Sequence, residues 1–260
     1  IVMESKGFVS EFGILKGFIL PKQKKRLELL PYAASSNKLE PGIELDPYWN
    51  KHNLSWNTGV DFKIGVGSNF TLTGTVNPDF GQVEADPADL NLSAFETFFE
   101  ERRPFFLEGT DIFQFGKTRT FRSNSPSIFY TRRIGRNPRG SINDSDTQFE
   151  DYPSQTNILS ALKLSGKTPK GFSFGIMDAI TAKEEAVYID STNVEKSQAI
   201  EPFANSLVLR LKQDLRQGKM NFGGFLTHRN QHLSTNYLDS LFISNAYVMG
   251  TDFECALPKP

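Results

Sequence analysis

From Gly59 to Val76 the chain changes side at every residue. Val60, Phe62, Ile64 and Val66 alternate with Asp61, Lys63, Gly65 and Gly67. After Gly67, Ser68 and Asn69, the residues Phe70, Leu72, Gly74 and Val76 alternate with Thr71, Thr73 and Thr75. A helix repeats every 3.6 residues and scatters such a pattern around its axis, whereas a strand repeats every two and sorts it onto two faces. The stretch predicts an antiparallel hairpin with one apolar face and one polar or small face. Charges on the second face are as normal in a soluble sheet as on the inner wall of a water-filled barrel, so the alternation alone leaves both open. The arms run about eight residues, within the soluble range and near the roughly 9 to 11 of a tilted membrane strand.

The same signature recurs along the chain. Leu27 to Ala34 reads as a strand in which Pro31 marks an edge, a bulge or a strand end. Ser127 to Ile134 reads as another strand. Asn157 to Ser165 and Phe172 to Thr181 form a second hairpin, where Asp178 shares a face with Phe172, Phe174, Ile176 and Ile180 and so marks a rim, a bulge or a shifted register. In a third hairpin Leu207, Leu209 and Leu211 alternate with Val208, Arg210 and Lys212, a turn follows at Asp214 to Lys219, and Met220 to His228 returns. Phe242 to Ala256 opens one more strand. Leu39 to Asn57, Asn137 to Pro153 and Ala182 to Pro202 are polar and read as loops. Soluble domains seldom keep connections of that length, whereas outer-membrane barrels alternate short turns with long loops. The expected fold is an all-β antiparallel meander, part of a barrel, with residues 1–25 as a leading segment or linker and 26–260 as a partial β-barrel domain. The chain begins at Ile1 without a methionine and reads as a piece of a longer protein.

Composition excludes several classes. Twenty-nine basic against thirty acidic residues leave a net charge of -1, with no global polarity toward nucleic acid. The single Cys255 cannot build an internal disulfide framework or a multi-cysteine metal site. Mean hydropathy is -0.38, and no apolar run reaches the roughly 18 residues of a spanning helix. That argues against a helical membrane protein but not against a barrel, whose strands are half polar. No nucleophile elbow, phosphate loop, dinucleotide fingerprint or zincin motif is present, and neither metal nor cofactor is expected.

Between Thr75 and Phe113 the alternation breaks and charges mix with phenylalanines. Ser93 with Glu96 forms a capping box, predicting a helix from Ala94 to Arg103 limited by Pro104, in a helical insert near residues 87–103. Phe95, Phe98 and Phe99 would share one side of it. Asp79, Glu84, Asp86, Asp89, Glu96, Glu100, Glu101, Glu108 and Asp111 supply carboxylates that could serve as an acid and base pair for glycoside hydrolysis. Asp79, Glu84, Asp86 and Asp89 could also offer oxygen ligands to calcium, but the calcium-loop spacing is absent. Glu100, Glu101, Arg102, Arg103, Glu108, Arg132, Arg133 and Arg136 are the candidate charge network, read either as internal salt bridging or as an anion or sugar-phosphate site.

NPDFGQVEADP from Asn77, FFEERRPFFLEG from Phe98 and FYTRRIGR from Phe129 follow in that order, and RLELLPY runs from Arg26 to Tyr32. Together they resemble a bacterial outer-membrane β-barrel family, classed as a domain of unknown function, that commonly follows an N-terminal carbohydrate-binding family 9-like domain. The resemblance is strong from about Arg26 to Arg136 and only a strand pattern afterwards. It implies location in the cell outer membrane, contact with outer-membrane lipid, an upstream carbohydrate-binding domain, and glycan or other surface material as a partner. It transfers no catalytic residue. The alternatives are a glycan-active membrane-associated hydrolase using carboxylates of 79–111, and a soluble β-sandwich carbohydrate-binding module. Membrane interfaces favour Tyr and Trp, while Phe at 23 outnumbers Tyr at 7 and Trp at 2, which keeps the soluble reading open. The direction in which Val60, Phe62, Ile64 and Val66 point separates the two.

Overall fold

The computed structural model describes residues 17, 26–39, 46–49, 53–78, 99–115, 129–215 and 219–255. Eleven strands are formed among them: β1 (Leu27–Lys38), β2 (Asn53–Val66), β3 (Phe70–Val76), β4 (Thr147–Asp151), β5 (Ile158–Lys167), β6 (Phe172–Thr181), β7 (Glu184–Asp190), β8 (Glu195–Glu201), β9 (Phe203–Leu215), β10 (Met220–His232) and β11 (Asn245–Cys255). Eight of them make one antiparallel sheet in the order β1-β2-β3-β5-β6-β9-β10-β11, and β4-β7-β8 make a second. The nearly all-β antiparallel class expected from the alternation is the class observed. Among the described residues the large sheet is open, with β1 and β11 at its edges, and Pro31 lies in the edge strand β1, where a missing N–H is tolerated.

Register sorts the side chains into two faces. One cross-strand row runs Leu27, Ile64, Leu72, Leu164, Ile176, Leu209, Leu226 and Met249, apolar in all eight strands. The adjacent row, on the opposite face, runs Glu28, Lys63, Thr73, Lys163, Met177, Val208, Thr227 and Val248. A one-residue slip in any strand would exchange the two sets, so the pattern fixes the register. The second face is the one that becomes buried. Ala161, Lys163, Ser173, Met177, Ala179, Val208 and Arg210 are all covered there, and the core gathers Ile158, Ala161, Met177, Ala179 and Val208 with Phe105, Phe106 and Ile134.

The connections are segregated by length. Connections of three or four residues join β2 to β3, β5 to β6 and β9 to β10 at one end of the sheet, and the longer links start and finish at the other. Ala182 to Pro202, read as a loop, is instead the β7–β8 hairpin, which carries β6 and β9 on past the wall, and β4 from the Asn137 to Pro153 stretch joins it. Its polar composition hid it. The turn is built by Asp190, whose carboxylate bonds Lys196 and accepts from the Thr192 amide at 2.8 Å, the Thr192 hydroxyl at 2.6 Å and the Val194 amide at 3.1 Å. Those bonds, that from Lys196 foremost, hold the Asp190 carboxyl well below the usual carboxylate range.

Two further expectations are corrected in the insert. Pro104 does not end a helix but begins one: α1 covers Pro104–Leu107, and Arg103 before it is extended at φ -74° and ψ 123°. Proline lacks the N–H that the first helical turn leaves unbonded, and it biases its predecessor away from helix. Glu100 to Arg103 are therefore not helical, while Ser93, Glu96 and Ala94 to Phe98 lie outside the described residues. Gly109, in the left-handed region at φ 68°, turns the chain into α2 (Thr110–Phe113). Of the expected strand Ser127 to Ile134, the part from Phe129 on is no strand and holds a 3₁₀ turn at Thr131–Arg133, and residues 127 and 128 lie outside the described residues. A third helix, α3 (Asn236–Leu241), has the Thr235 hydroxyl accepting from the Leu238 amide at 3.2 Å.

Close approach of the insert to the wall depends on glycine at 175. A Cβ there would lie 2.8 Å from Ile112 Cγ2 and 2.9 Å from Phe113 Cζ. Gly175→Ala is expected to destabilise the folded chain by about 1–3 kcal/mol through overpacking. Gly224→Ala, whose Cβ would meet nothing nearer than Gly250 O at 3.7 Å, is expected to be close to neutral. Denaturant unfolding of both variants checks the difference.

Candidate functional site

The insert crosses the buried face of the wall from one side to the other. On the β2–β5 side, Lys63 and Lys163 flank Thr73 on neighbouring strands, and both ammonium groups point at α1. Lys163 donates to the Phe105 carbonyl and, at 2.5 Å, to the Glu108 carbonyl. Its Nζ lies 4.8 Å from the centre of the Phe105 ring. Lys63 pairs with the Glu108 carboxylate. The carbonyls at the end of a helix have no intrahelical donor, so a lysine aimed at them meets a need on both sides.

In mid-wall, Ile112 and Phe113 of α2 lie over Gly175. Further across, Phe115 packs edge-on against Phe225 with ring centres 4.5 Å apart. The Arg210 guanidinium sits 5.3 Å from the Phe115 ring and grips Asp252 with two bonds of 2.6 and 2.8 Å. The fork-to-carboxylate geometry fixes β9 to β11 across β10.

Toward the end with the long connections, the insert is held by Arg103. Its guanidinium bonds both oxygens of Glu101 at 2.8 and 2.7 Å, the Ile134 carbonyl at 2.6 Å and the Thr131 carbonyl at 2.8 Å, and it stacks 4.2 Å from the Phe106 ring. The Thr131 hydroxyl donates to Glu101 at 2.5 Å, and Tyr130 and Phe99 bond beside it. Burial works to raise the Glu101 carboxyl. The bonds and charge of Arg103, with the Thr131 hydroxyl, outweigh it and hold the group below the usual carboxylate range.

The sequence-derived candidates thus separate. Glu101 and Arg103 come together, Glu108 turns to Lys63 instead, and Glu100 and Arg102 are exposed. Arg132, Arg133 and Arg136 follow on the turn that Arg103 anchors. Asp79, Glu84, Asp86, Asp89 and Glu96 lie outside the described residues. Asp111 is exposed and lines a recess of about 150 Å³ with Gln114, Arg210, Lys212, Asn221 and Asp252. A second recess of about 190 Å³ lies between α1 and β1–β3, lined by Glu28, Leu30, Asp61, Lys63 and Glu108 among others. Among the described residues no three or more His, Cys, Asp or Glu side chains converge as a metal site. Sequence reasoning missed Lys63, Lys163, the Arg210–Asp252 pair, and the group formed by Arg139, Arg229 and Glu201. The available signal was a cation at the polar positions of an alternating strand; the partners, far away in sequence, left none.

An antiparallel wall whose charged inner row is closed by an insert of its own chain is the class that fold and site define. Residues 24–220 match the family described as Domain of unknown function (DUF5916), and the chain belongs to that family. No curated protein and no solved structure matches it.

Lys163→Met should leave the Phe105 and Glu108 carbonyls without their donor and lower stability by about 1.5–3 kcal/mol per charge-assisted bond lost. Limited trypsin digestion should then cut faster after Arg102 than in the wild type; the Arg103–Pro104 bond is not a trypsin site. For Glu101 the folded pKa lies below the unfolded value of about 4.3. Its stabilisation is therefore complete above that pH and is lost as pH falls through the folded pKa. Unfolding measured from pH 6 to pH 3 should show a flatter acid limb in Glu101→Gln than in the wild type.

Proposed function

We propose that this chain forms part of an outer-membrane β-barrel with the insert folded into its lumen, and that its work is passage, docking or assembly of surface or glycan-related material rather than chemistry. The observation that carries this reading is the apolar row shared by all eight strands of the sheet, on the face the insert leaves uncovered. On that face Leu27 is 68% exposed and Met249 74%, and Leu29, Leu162, Phe222 and Phe253 are exposed as well. A contiguous apolar surface of this extent is a liability in water and an asset in lipid. Toward the end with the long connections it gives way to a polar row, where Asn205 bonds Asp178 and Asn230 bonds Asn245, each at 2.8 Å. His228 stacks on Tyr247 there with ring centres 4.2 Å apart. Asp178 thus sits at a rim of the apolar band.

No helix among the described residues is long and apolar enough to cross a membrane, which bears only on helical spans. The sandwich alternative needs a second sheet over Val60, Phe62, Ile64 and Val66, yet Val66 is exposed and β2 packs on its sheet neighbours β1 and β3. For the hydrolase alternative, Glu101 and Glu108 are each engaged by a cation, which removes them as a free acid and base pair. In outer-membrane barrels long connections face outward and short turns the periplasm. The reading therefore puts the β4-β7-β8 sheet on the outer side.

Expressed with an export signal, the chain should fractionate with detergent-extracted outer membrane and run as a heat-modifiable band. A freely soluble monomer overturns the reading. Leu209→Arg, on the uncovered face, should cost about 2–4 kcal/mol of membrane stability. Lys212→Gln on the lumen face should be tolerated.

A further inference from the structure

We propose that Arg139 and Arg229 form an oxyanion-binding subsite at the lumen end nearest the long connections, suited to the phosphate or carboxylate group of an acidic glycan. The two guanidiniums come from different elements. Arg229 projects inward from β10, opposite Ser206 of β9, and Arg139 reaches it from the segment between the 3₁₀ turn and β4. Between them lies Glu201, the last residue of β8, only 2% exposed.

One carboxylate thus serves two cations, and it is not shared evenly. Arg139 takes it almost whole: its amide donates at 3.1 Å, its Nε at 3.1 and 3.2 Å and its Nη2 at 2.8 Å. The same Nη2 reaches Gln231 Oε1 at 2.7 Å, and the guanidinium lies 4.1 Å from the centre of the Phe242 ring. Arg139 is therefore locked in position. Arg229 is left with long contacts: Gln231 Oε1 at 3.3 Å, Ser206 Oγ at 3.4 Å and Glu201 Oε1 at 3.6 Å. A guanidinium matched to an oxyanion sits at about 2.7–2.9 Å from its acceptors.

The pair nevertheless remains open to solvent, Arg139 at 29% and Arg229 at 26%, while the carboxylate beneath them is closed off. The local arrangement is two partly exposed forks above a single spent anion, in which Arg229 keeps donor capacity for a second one. Planar forks bind carboxylate and phosphate in a two-point fashion that a lysine cannot reproduce. The subsite goes beyond the membrane reading and stands on these side chains whether or not the outer face meets lipid.

The test is calorimetric titration of the full chain, folded in detergent micelles, with inorganic phosphate and separately with glucuronate. Binding of either supports the subsite. A preference for phosphate assigns a phosphoryl group as the recognised oxyanion, and a preference for glucuronate assigns a carboxylate. Arg229→Gln should weaken the favoured anion about tenfold or more. Glu201→Gln should tighten it, because the competing carboxylate is gone while the amide keeps its shape; a misfolded variant would not produce tighter binding. No binding of either anion to the wild type, or no tightening in Glu201→Gln of native circular dichroism, overturns the proposal. Membrane fractionation is a separate readout, so failure of the location leaves the titration interpretable.

Discussion

The structure depends on how the ammonium of Lys163 is satisfied. It stands on β5 in a row with Lys63, Thr73 and Met177, only 2% exposed, with Ala161, Met177 and Ala179 buried beside it. An unpaired charge in such a place costs several kcal/mol in real proteins, so the wall requires acceptors from elsewhere. The insert brings them as backbone carbonyls at the end of α1, groups that a four-residue helix leaves unbonded. Each element is incomplete without the other. A wall without the insert would hold bare cations, and an insert without the wall would hold orphan carbonyls and phenylalanines with nothing to cover them.

The same reciprocity is repeated across the sheet with different chemistry. Gly175 makes room for Ile112 and Phe113, Phe225 receives Phe115, and Arg210 locks Asp252 while facing the Phe115 ring. Arg103 does for the loops what Lys163 does for the wall, collecting two carbonyls and a carboxylate around one guanidinium. Buried ion pairs add little net stability over apolar packing, but removing one partner strands the other. Specific placement of the insert is the natural reading of so many paired charges in one layer.

The part of this fold legible in the sequence is the part in which every residue votes for the same answer. β2–β3, β5–β6 and β9–β10 sort apolar from polar at each step, and no other secondary structure accommodates that. The β7–β8 hairpin escaped because its faces are not sorted by polarity: Glu184, Ala186, Tyr188 and Asp190 are the buried side. In the insert, Pro104 was ambiguous in principle, since proline both ends helices and starts them. Glu101 and Arg103 were legible as a pair because they are neighbours in sequence. The match of Lys163 to Phe105, and of Arg139 to Glu201, spans 58 and 62 positions and becomes visible only once the strands are aligned.

The two ends of the sheet are unequal in what they can be asked to do. Short turns leave few choices, since Gly67 and Gly171 with φ of 65° and 82° meet the demands of the backbone and little else. The long connections carry the extra sheet, α3, the Arg103 network and Arg139, which meets Arg229 of β10 over Glu201. Charges at that end are held in defined places by groups that do not themselves reach solvent, as Glu201 and the Ile134 carbonyl illustrate. A wall needs only alternation, and alternation tolerates many sequences. Placing two forks side by side over a buried carboxylate needs a particular β8 end, a particular β10 register and a loop of the right length. On the proposed reading, recognition is concentrated at the long-connection end, with the wall and its insert as the support that keeps it in register.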